Sequence, residues 1–356
     1  MVRFGHELDR FRSAIQRDTN LSFGFETPEL KKKDIICYGR ANGITGIEKF
    51  LGYNDSRLKV ANFPSISLTH NFITVNVAVC LSHKDRVILD GKENTSHLLR
   101  AIGALDVFRS LFKISDHFAF YIEQDKKYGS AKGMGESAAF AGATAMALCN
   151  LMFKDPSTSF ISSIARLVSG SGTRSVVNGV GLWQSYEGID PEMNHAIRVR
   201  EDMGDFHIAS FPTPNPIKTE NVHGIATQSP FYEQWGKVKF QSLLNIIENH
   251  FDPEMLARSA MNDMLLMHSV LLARGISILN EKMFALLKLA EQSEGSFFVT
   301  ADTGPTPIMI YRDSDMLRKA EIIMGREALR GNVVPHQTET ETAFQKRAVE
   351  NLVKYA

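Results

Sequence analysis

Between residues 118 and 152 the chain changes character twice. A strand-like run over 118–122 leads into a glycine-rich turn, Gly129-Ser130-Ala131-Lys132-Gly133-Met134-Gly135. The turn opens a helix over 136–152 that is rich in small residues from Ala138 to Ala147. Strand, glycine turn and helix in this order belong to a mixed α and β architecture. Such a turn presents backbone N–H groups and the positive end of a helix dipole to an anion. Glu136 stands at the first helical position. A carboxylate there is able to occupy those donors and repels a triphosphate, while Lys132 offsets part of the repulsion. The plainer alternative is a first-turn acid favoured by the dipole. Ser130 and Ser137 offer hydroxyls to a phosphate, or serve only as caps.

The remaining pattern extends the same class. Residues 60–81 and 86–89 are rich in β-branched and aromatic residues and predict strands. Leu98, Ile102, Leu105, Phe108 and Phe112 recur at helical spacing, predicting a helix over 96–112, and another is expected over 157–168. A strand over 205–211 is followed by Pro212, Pro214 and Pro216, which mark an irregular loop. Helices are expected over 231–249, 253–272 and 280–292. Strands are expected over 296–300 and 307–311, and amphipathic helices over 316–330 and 340–355. Periodicity alone therefore gives an α+β chain in two domains. Residues 1–17 read as an amphipathic helix without the apolar core of a signal peptide. Lys31-Lys32-Lys33 reads as a solvated patch or an attraction for phosphate.

The 356 residues carry 40 Lys and Arg against 40 Asp and Glu. A balanced charge argues against nucleic acid or an anionic membrane as the main partner. Positive charge for an anionic ligand must then be local. Cys37, Cys80 and Cys149 have no metal-ligand spacing and read as reduced, buried thiols of a cytoplasmic protein. No apolar run approaches a membrane span, and no metal site is expected.

Three distant segments each supply one charged residue. Ile47-Glu48-Lys49-Phe50-Leu51-Gly52 runs on to Asn62-Phe63-Pro64-Ser65-Ile66-Ser67; Ser169-Gly170-Ser171-Gly172-Thr173-Arg174-Ser175 is the second; Asp302-Thr303-Gly304-Pro305-Thr306 is the third. In order and setting they resemble the K-Y-W-G with N-S-S-I-S, G-S-G-S-A-C-R-S and D-A-G-P-N motifs of the mevalonate diphosphate decarboxylases. Those enzymes are a branch of the galacto-, homoserine-, mevalonate- and phosphomevalonate-kinase (GHMP kinase) superfamily. The resemblance runs from Gly46 to Tyr311. It implies a two-domain GHMP-kinase-like fold, with a ribosomal S5 domain 2-like N-terminal part, a ferredoxin-like C-terminal part and the active site in the cleft between them. The implied division is an N-terminal extension over 1–33 and domains over 34–204 and 205–356.

By the same resemblance Lys49, Arg174 and Asp302 inherit the catalytic lysine, arginine and aspartate. His268 falls where the family carries a helical histidine, and reads as an interior histidine or a substrate contact. Lys218, Thr219 and His223 fall near the segment that meets the far phosphate. The departures lie in the nucleotide loop: the family's P-x-x-x-G-L-A-S-S-A becomes Gly129 to Ala138, with Lys132, Gly133, Gly135 and Glu136 in an altered setting. Phe50 replaces a tyrosine and Tyr53 a lysine. A kept trio beside a changed loop implies a decarboxylase that needs no ATP. It would take a mevalonate already carrying the 3-phosphate, mevalonate 3,5-bisphosphate, release phosphate and carbon dioxide, and leave isopentenyl phosphate, as in archaeal isoprenoid synthesis. The alternatives are an ATP- and magnesium-dependent phosphomevalonate or diphosphomevalonate decarboxylase, a mevalonate 3-kinase, and a non-catalytic ligand-binding relative. The implied partner is a small anionic substrate. A homodimer is compatible with such folds, and a cleft vacated by nucleotide is a place for another ligand.

Overall fold

The computed structural model describes residues 4–18, 21–31, 35–129, 133–214 and 219–355. Two sheets organise it. The larger is built on two long strands, β1 (Cys37–Glu48) and β4 (Ser65–Ser82), with a short hairpin of β2 (Tyr53–Asp55) and β3 (Val60–Ala61) between them. β4 pairs with β1 along one edge and divides its other edge between two partners. Residues Ser65 to Leu68 pair with β8 (Val180–Trp183), and Ile73 to Ser82 pair with β7 (His117–Lys126). β5 (Arg86–Leu89) lies parallel to β7; β6 (Lys92–Glu93) and β9 (Ala196–Arg200) close the two ends.

Strands alternate their side chains between two faces, and β4 uses both. Val75, Val77 and Val79 join the main core, where α3 (Glu136–Met152) lies on β1 and β4 beside α4 (Thr158–Val168) and α5 (Gly172–Val177); α2 (Thr95–Phe112) packs on α4. Ala78 and Cys80 face the other way, onto Phe344, Ala348 and Leu352 of the last helix, α11 (Thr342–Leu352).

The second sheet is antiparallel in the order β11 (Phe297–Thr300), β12 (Ile308–Tyr311), β10 (His207–Ser210), β13 (Leu329–Gly331). Around it stand α6 (Thr219–Ala226), α7 (Tyr232–Glu248), α8 (Pro253–Leu272), α9 (Glu281–Glu291) and α10 (Ser314–Met324). The helix expected over 316–330 ends early. Gly325 takes φ 68 and stops α10 at Met324, leaving Leu329 to Gly331 to add an edge strand. Beyond the loop that starts at Pro212, α6 forms from Thr219.

Strand β1 escaped the sequence pattern. Its glycines lower strand propensity, and each is needed where another part of the chain comes close. A Cβ on Gly39 would lie 2.2 Å from the Ala143 carbonyl of α3, one on Gly43 2.5 Å from the Met134 carbonyl, and one on Gly46 3.2 Å from the Asp302 carboxylate. The two ends of the chain are also built into the core. α1 (Gly5–Arg17) buries Leu8, Phe11, Ala14 and Ile15 and packs on α7, and Phe4 sits against Phe63 and Phe240 at 5.2 and 5.9 Å. Beyond β13 the chain returns to the large sheet: Val334 donates its N–H to the Thr69 carbonyl, and Gly179 donates to the Val334 carbonyl. The segment from Asn332 to Leu352 thus packs against the large sheet. Lys32 and Lys33 lie outside the described residues. Cys37, Cys80 and Cys149 are buried. No helix among the described residues is long and apolar enough to cross a membrane.

Candidate active site

The three charged residues come together from three elements. Lys49 follows the last residue of β1, Arg174 lies in the short helix α5, and Asp302 sits two residues past β11. Gly46 is the meeting point. It donates its N–H to Asp302 Oδ1 at 3.1 Å, and its bare Cα lets the Lys49 stem and the Asp302 carboxylate share one spot.

Lys49 is buried. Its Nζ donates to Thr300 Oγ1 at 2.9 Å and to the Ala260 carbonyl at 3.4 Å, and lies 3.9 Å from Asp263 Oδ2. Burial pushes the ammonium pKa down, and the negative charges of Asp263 and Asp302 hold it up. Asp302 shows the reverse: burial raises its carboxyl, while Lys49, the Gly46 N–H and Arg174 pull it back.

Arg174 is 3 % exposed, and its Nε and Nη1 have no hydrogen-bond partner. Its guanidinium carbon lies 5.4 Å from the Phe50 ring and 5.8 Å from the Trp183 ring. Burial lowers its pKa to about 10, which leaves it charged at neutral pH. Gly170 makes room for this box: a Cβ there would fall 2.9 to 3.0 Å from Trp183, Phe50 and Tyr53. Buried charge without an acceptor is costly, of the order of several kcal/mol.

Ser67 completes the floor, and no charge in its sequence setting marks it. It pairs with Gly46 on one side and Gly181 on the other. Residues opposite one another in neighbouring strands share a face. A Cβ on Gly181 would lie 3.4 Å from Arg174 Cβ, as one on Gly46 would lie close to Asp302. The Ser67 hydroxyl is buried, has no partner, and stands between the two halves of the trio.

The remaining expected residues divide. Ser137 is exposed in the first turn of α3 and donates to Ser169 Oγ at 3.4 Å, which itself lies 2.9 Å from Ser171 Oγ. The α3 start and the Arg174 loop therefore converge. His223 accepts the Gly52 N–H on Nδ1 at 3.0 Å and lies against Phe50 and Tyr53. Burial lowers its pKa to about 4, so at neutral pH it is an uncharged imidazole with its proton on Nε2. His268 is buried and accepts the Ile278 N–H on Nδ1 at 3.4 Å. Thr219 is the first residue of α6. Ser130, Lys132 and Lys218 lie outside the described residues.

At the altered loop, Glu136 does not cap its own helix. The cap is Gly135 at φ 74, with no side-chain bond, and Glu136 Oε1 lies 3.0 Å from Lys126 Nζ of β7. The helix start thus carries an ion pair. Gly135 is fixed by contact, since a Cβ would fall 2.2 Å from the Ile44 nitrogen, and Gly133 (φ 89) lies against Thr306. Among the described residues no group of three or more His, Cys, Asp or Glu is placed to hold a metal.

A network that no local motif announces braces Lys49. Asp263 Oδ2 accepts the Lys49 N–H at 2.8 Å. Asp263 Oδ1 accepts Trp235 Nε1 and Lys239 Nζ, both at 3.0 Å. Lys239, fully buried, also donates to Glu48 Oε2 at 2.9 Å, and Ser242 donates to Glu48 Oε1 at 2.6 Å.

Residues 41–192 match the diphosphomevalonate decarboxylase-like N-terminal domain. Over 293 residues the chain is 38% identical to a mevalonate 3,5-bisphosphate decarboxylase of Thermoplasma volcanium, covering 80% of this chain and 78% of that one. A protein of the same name from Thermoplasma acidophilum is 35% identical over 83% of this chain and 76% of its own. Among solved structures, the mevalonate diphosphate decarboxylase of Enterococcus faecalis superposes with a TM-score of 0.70 at 19% identity, over 85% and 97% of the two chains. The mevalonate-3-kinase of Thermoplasma acidophilum gives 0.69 at 15%, over 85% and 96%. A decarboxylase and a kinase match almost equally, so the backbone likeness carries the fold and leaves the chemistry to the side chains.

Proposed function

Because this chain belongs to the mevalonate diphosphate decarboxylase branch of the GHMP kinase superfamily, we propose that it is a mevalonate 3,5-bisphosphate decarboxylase that works without ATP. The observation that carries the reading is Arg174. It is a buried cation with unpaired donors, facing across Ser67 towards a second cation, Lys49, and a carboxylate, Asp302. That spacing of charge suits a substrate with a carboxylate at one end of the reacting unit and a phosphate at the other.

The reaction moves three electron pairs and no proton. The bond from C3 to its phosphate oxygen breaks, the bond from C2 to the carboxylate carbon breaks, and the latter pair becomes the C2–C3 double bond. Phosphate leaves with its electrons, and carbon dioxide departs neutral. Lys49 places a compact positive charge against the leaving phosphate, and Arg174 holds the planar carboxylate in line. Asp302 is needed as an orienting charge, since a 3-phosphorylated substrate has no hydroxyl proton to remove. Ser67 adds a hydroxyl between the two cations. His223, uncharged, offers one N–H to the distal end of the substrate.

Freedom from ATP is supported at the start of α3, where the Glu136–Lys126 pair brings a carboxylate to the place a nucleotide phosphate would approach. The same reading puts the enzyme in the cytoplasm with a small anionic substrate as its partner. The test is phosphate release from mevalonate 3,5-bisphosphate by the wild type and by Lys49→Ala, Asp302→Asn and Ser67→Ala. The first two are expected to lose about 10²-fold or more in kcat. Ser67→Ala is expected to lose about tenfold in kcat/KM, the worth of one hydrogen bond to a charged group. Full activity in Lys49→Ala contradicts the proposal.

A further inference from the structure

Three charges sit behind Lys49 with no access to water, and the reaction steps above use none of them except through Lys49. Glu48, Lys239 and Asp263 are 1 to 3 % exposed. They come from β1, α7 and α8, and Trp235, Lys239 and Ser242 form one stripe along α7 at helical spacing. α8 contributes twice: the Ala260 carbonyl accepts from Lys49 Nζ, and Asp263, one turn on, accepts from the Lys49 N–H. A packed apolar set in the same volume would be as stable or more so. Buried charge here therefore needs a reason beyond stability.

We propose that Asp263 is the positioning residue of Lys49, fixing the place of its backbone and keeping its side chain charged, with Lys239, Glu48 and Trp235 holding Asp263 in turn. Four contacts fix the carboxylate: Lys49 N–H and the Lys49 ammonium at Oδ2, Trp235 and Lys239 at Oδ1. Above about pH 7, where Glu48 is ionised, it balances Lys239, so the brace adds no net charge and Asp263 is left to face Lys49. The charged groups around Lys49 are then Asp263 from α8, Lys239 from α7, Glu48 from its own strand, Asp302 from the turn after β11, and Arg174 from α5, which acts on Asp302. Burial favours the neutral amine, and the neutral amine cannot hold a departing phosphate dianion. Asp263 is the acid that touches both the main chain and the ammonium of Lys49. This inference rests on the reading of Lys49 as the group that meets the leaving phosphate.

The experiment is the pH profile of kcat with mevalonate 3,5-bisphosphate in Asp263→Asn, which keeps shape and removes charge. The alkaline limb is expected to move to lower pH by about one unit or more. At neutral pH kcat falls about tenfold or more, and KM changes less than about threefold. Asp263→Asn leaves Lys239 facing only Glu48. The triple variant Asp263→Asn with Lys239→Met and Glu48→Gln removes the ion pair behind Asp263 as well, and is expected to fold and to show the same shift. An alkaline limb unmoved in whichever of these variants is folded by circular dichroism overturns the positioning role. Lys49→Ala separates the two levels. If it is inactive while the limb stays in place, only the role of Asp263 fails; if it is active, the reading of Lys49 fails and this inference with it.

Discussion

Arg174 holds the clearest division between what stabilises this protein and what makes it work. Its guanidinium is enclosed by Phe50 and Trp183, and two of its nitrogens have no acceptor. Replacing such a cation by an apolar side chain of similar length relieves a desolvation cost. Arg174→Met is therefore expected to raise stability by about 1–4 kcal/mol, read as an increase in denaturation midpoint, while turnover falls about 10²-fold or more. A destabilised variant would mean that the guanidinium is anchored by the protein rather than held for substrate. At this scale the sequence is legible where a motif surrounds a charge: Lys49, Arg174 and Asp302 stand out as one set, and the structure brings them together. It was silent on Asp263 and Lys239. Asp263 meets the Lys49 N–H across 214 positions of chain, and each of these residues reads locally as one polar position on an amphipathic helix.

Among the elements, β1 shows why local pattern reading fails at close approaches. Gly39, Gly43 and Gly46 hide a twelve-residue strand, and each admits a neighbour that builds the site: α3, the glycine turn before it, and the Asp302 turn. A small-residue helix over 136–152 was readable, but its seat was not, because the seat is made of residues that look like loop. Gly39→Ala places a methyl against α3 backbone that has no side chain to move aside. It is expected to cost about 1–3 kcal/mol in chemical denaturation, with kcat/KM kept within about twofold at temperatures where the variant is folded, since Gly39 lies far along β1 from Lys49. The end of α10 carries the related lesson. The amphipathic pattern runs through Gly325 towards Arg330, but a glycine at φ 68 ends a helix whatever periodicity follows.

In the whole molecule, buried histidines and one buried glutamate set opposite slopes of stability against pH. Burial lowers His70 to about 3 and His223 to about 4, against an ordinary 6.5. As pH falls below 6.5 the unfolded chain takes these protons first, so stability present above 6.5 is lost on the way down to 4. Burial raises Glu48 to about 7 from 4.5, with Lys239 opposing the rise. The folded protein keeps that proton while the unfolded chain releases it, so this contribution is lost as pH rises from 4.5 to 7. Burial also lowers His195 and His268 and raises Asp302, so four histidines stand against two acids. Denaturation midpoints are expected to climb between pH 4.5 and 6.5, and to climb more steeply in Glu48→Gln; a flatter curve in that variant would contradict the assignment. The division into two lobes was legible in the order of strands and helices. The weaving of both chain ends into the core was not, because Phe4, Phe11 and Phe344 find their partners only in the assembled fold. What the assembled trio does is tested most directly by carbon dioxide release from mevalonate 3,5-bisphosphate without nucleotide, beside mevalonate 5-phosphate and 5-diphosphate with ATP and magnesium. The account predicts release from the bisphosphate alone, matched mole for mole by phosphate; release only in the presence of ATP would contradict it.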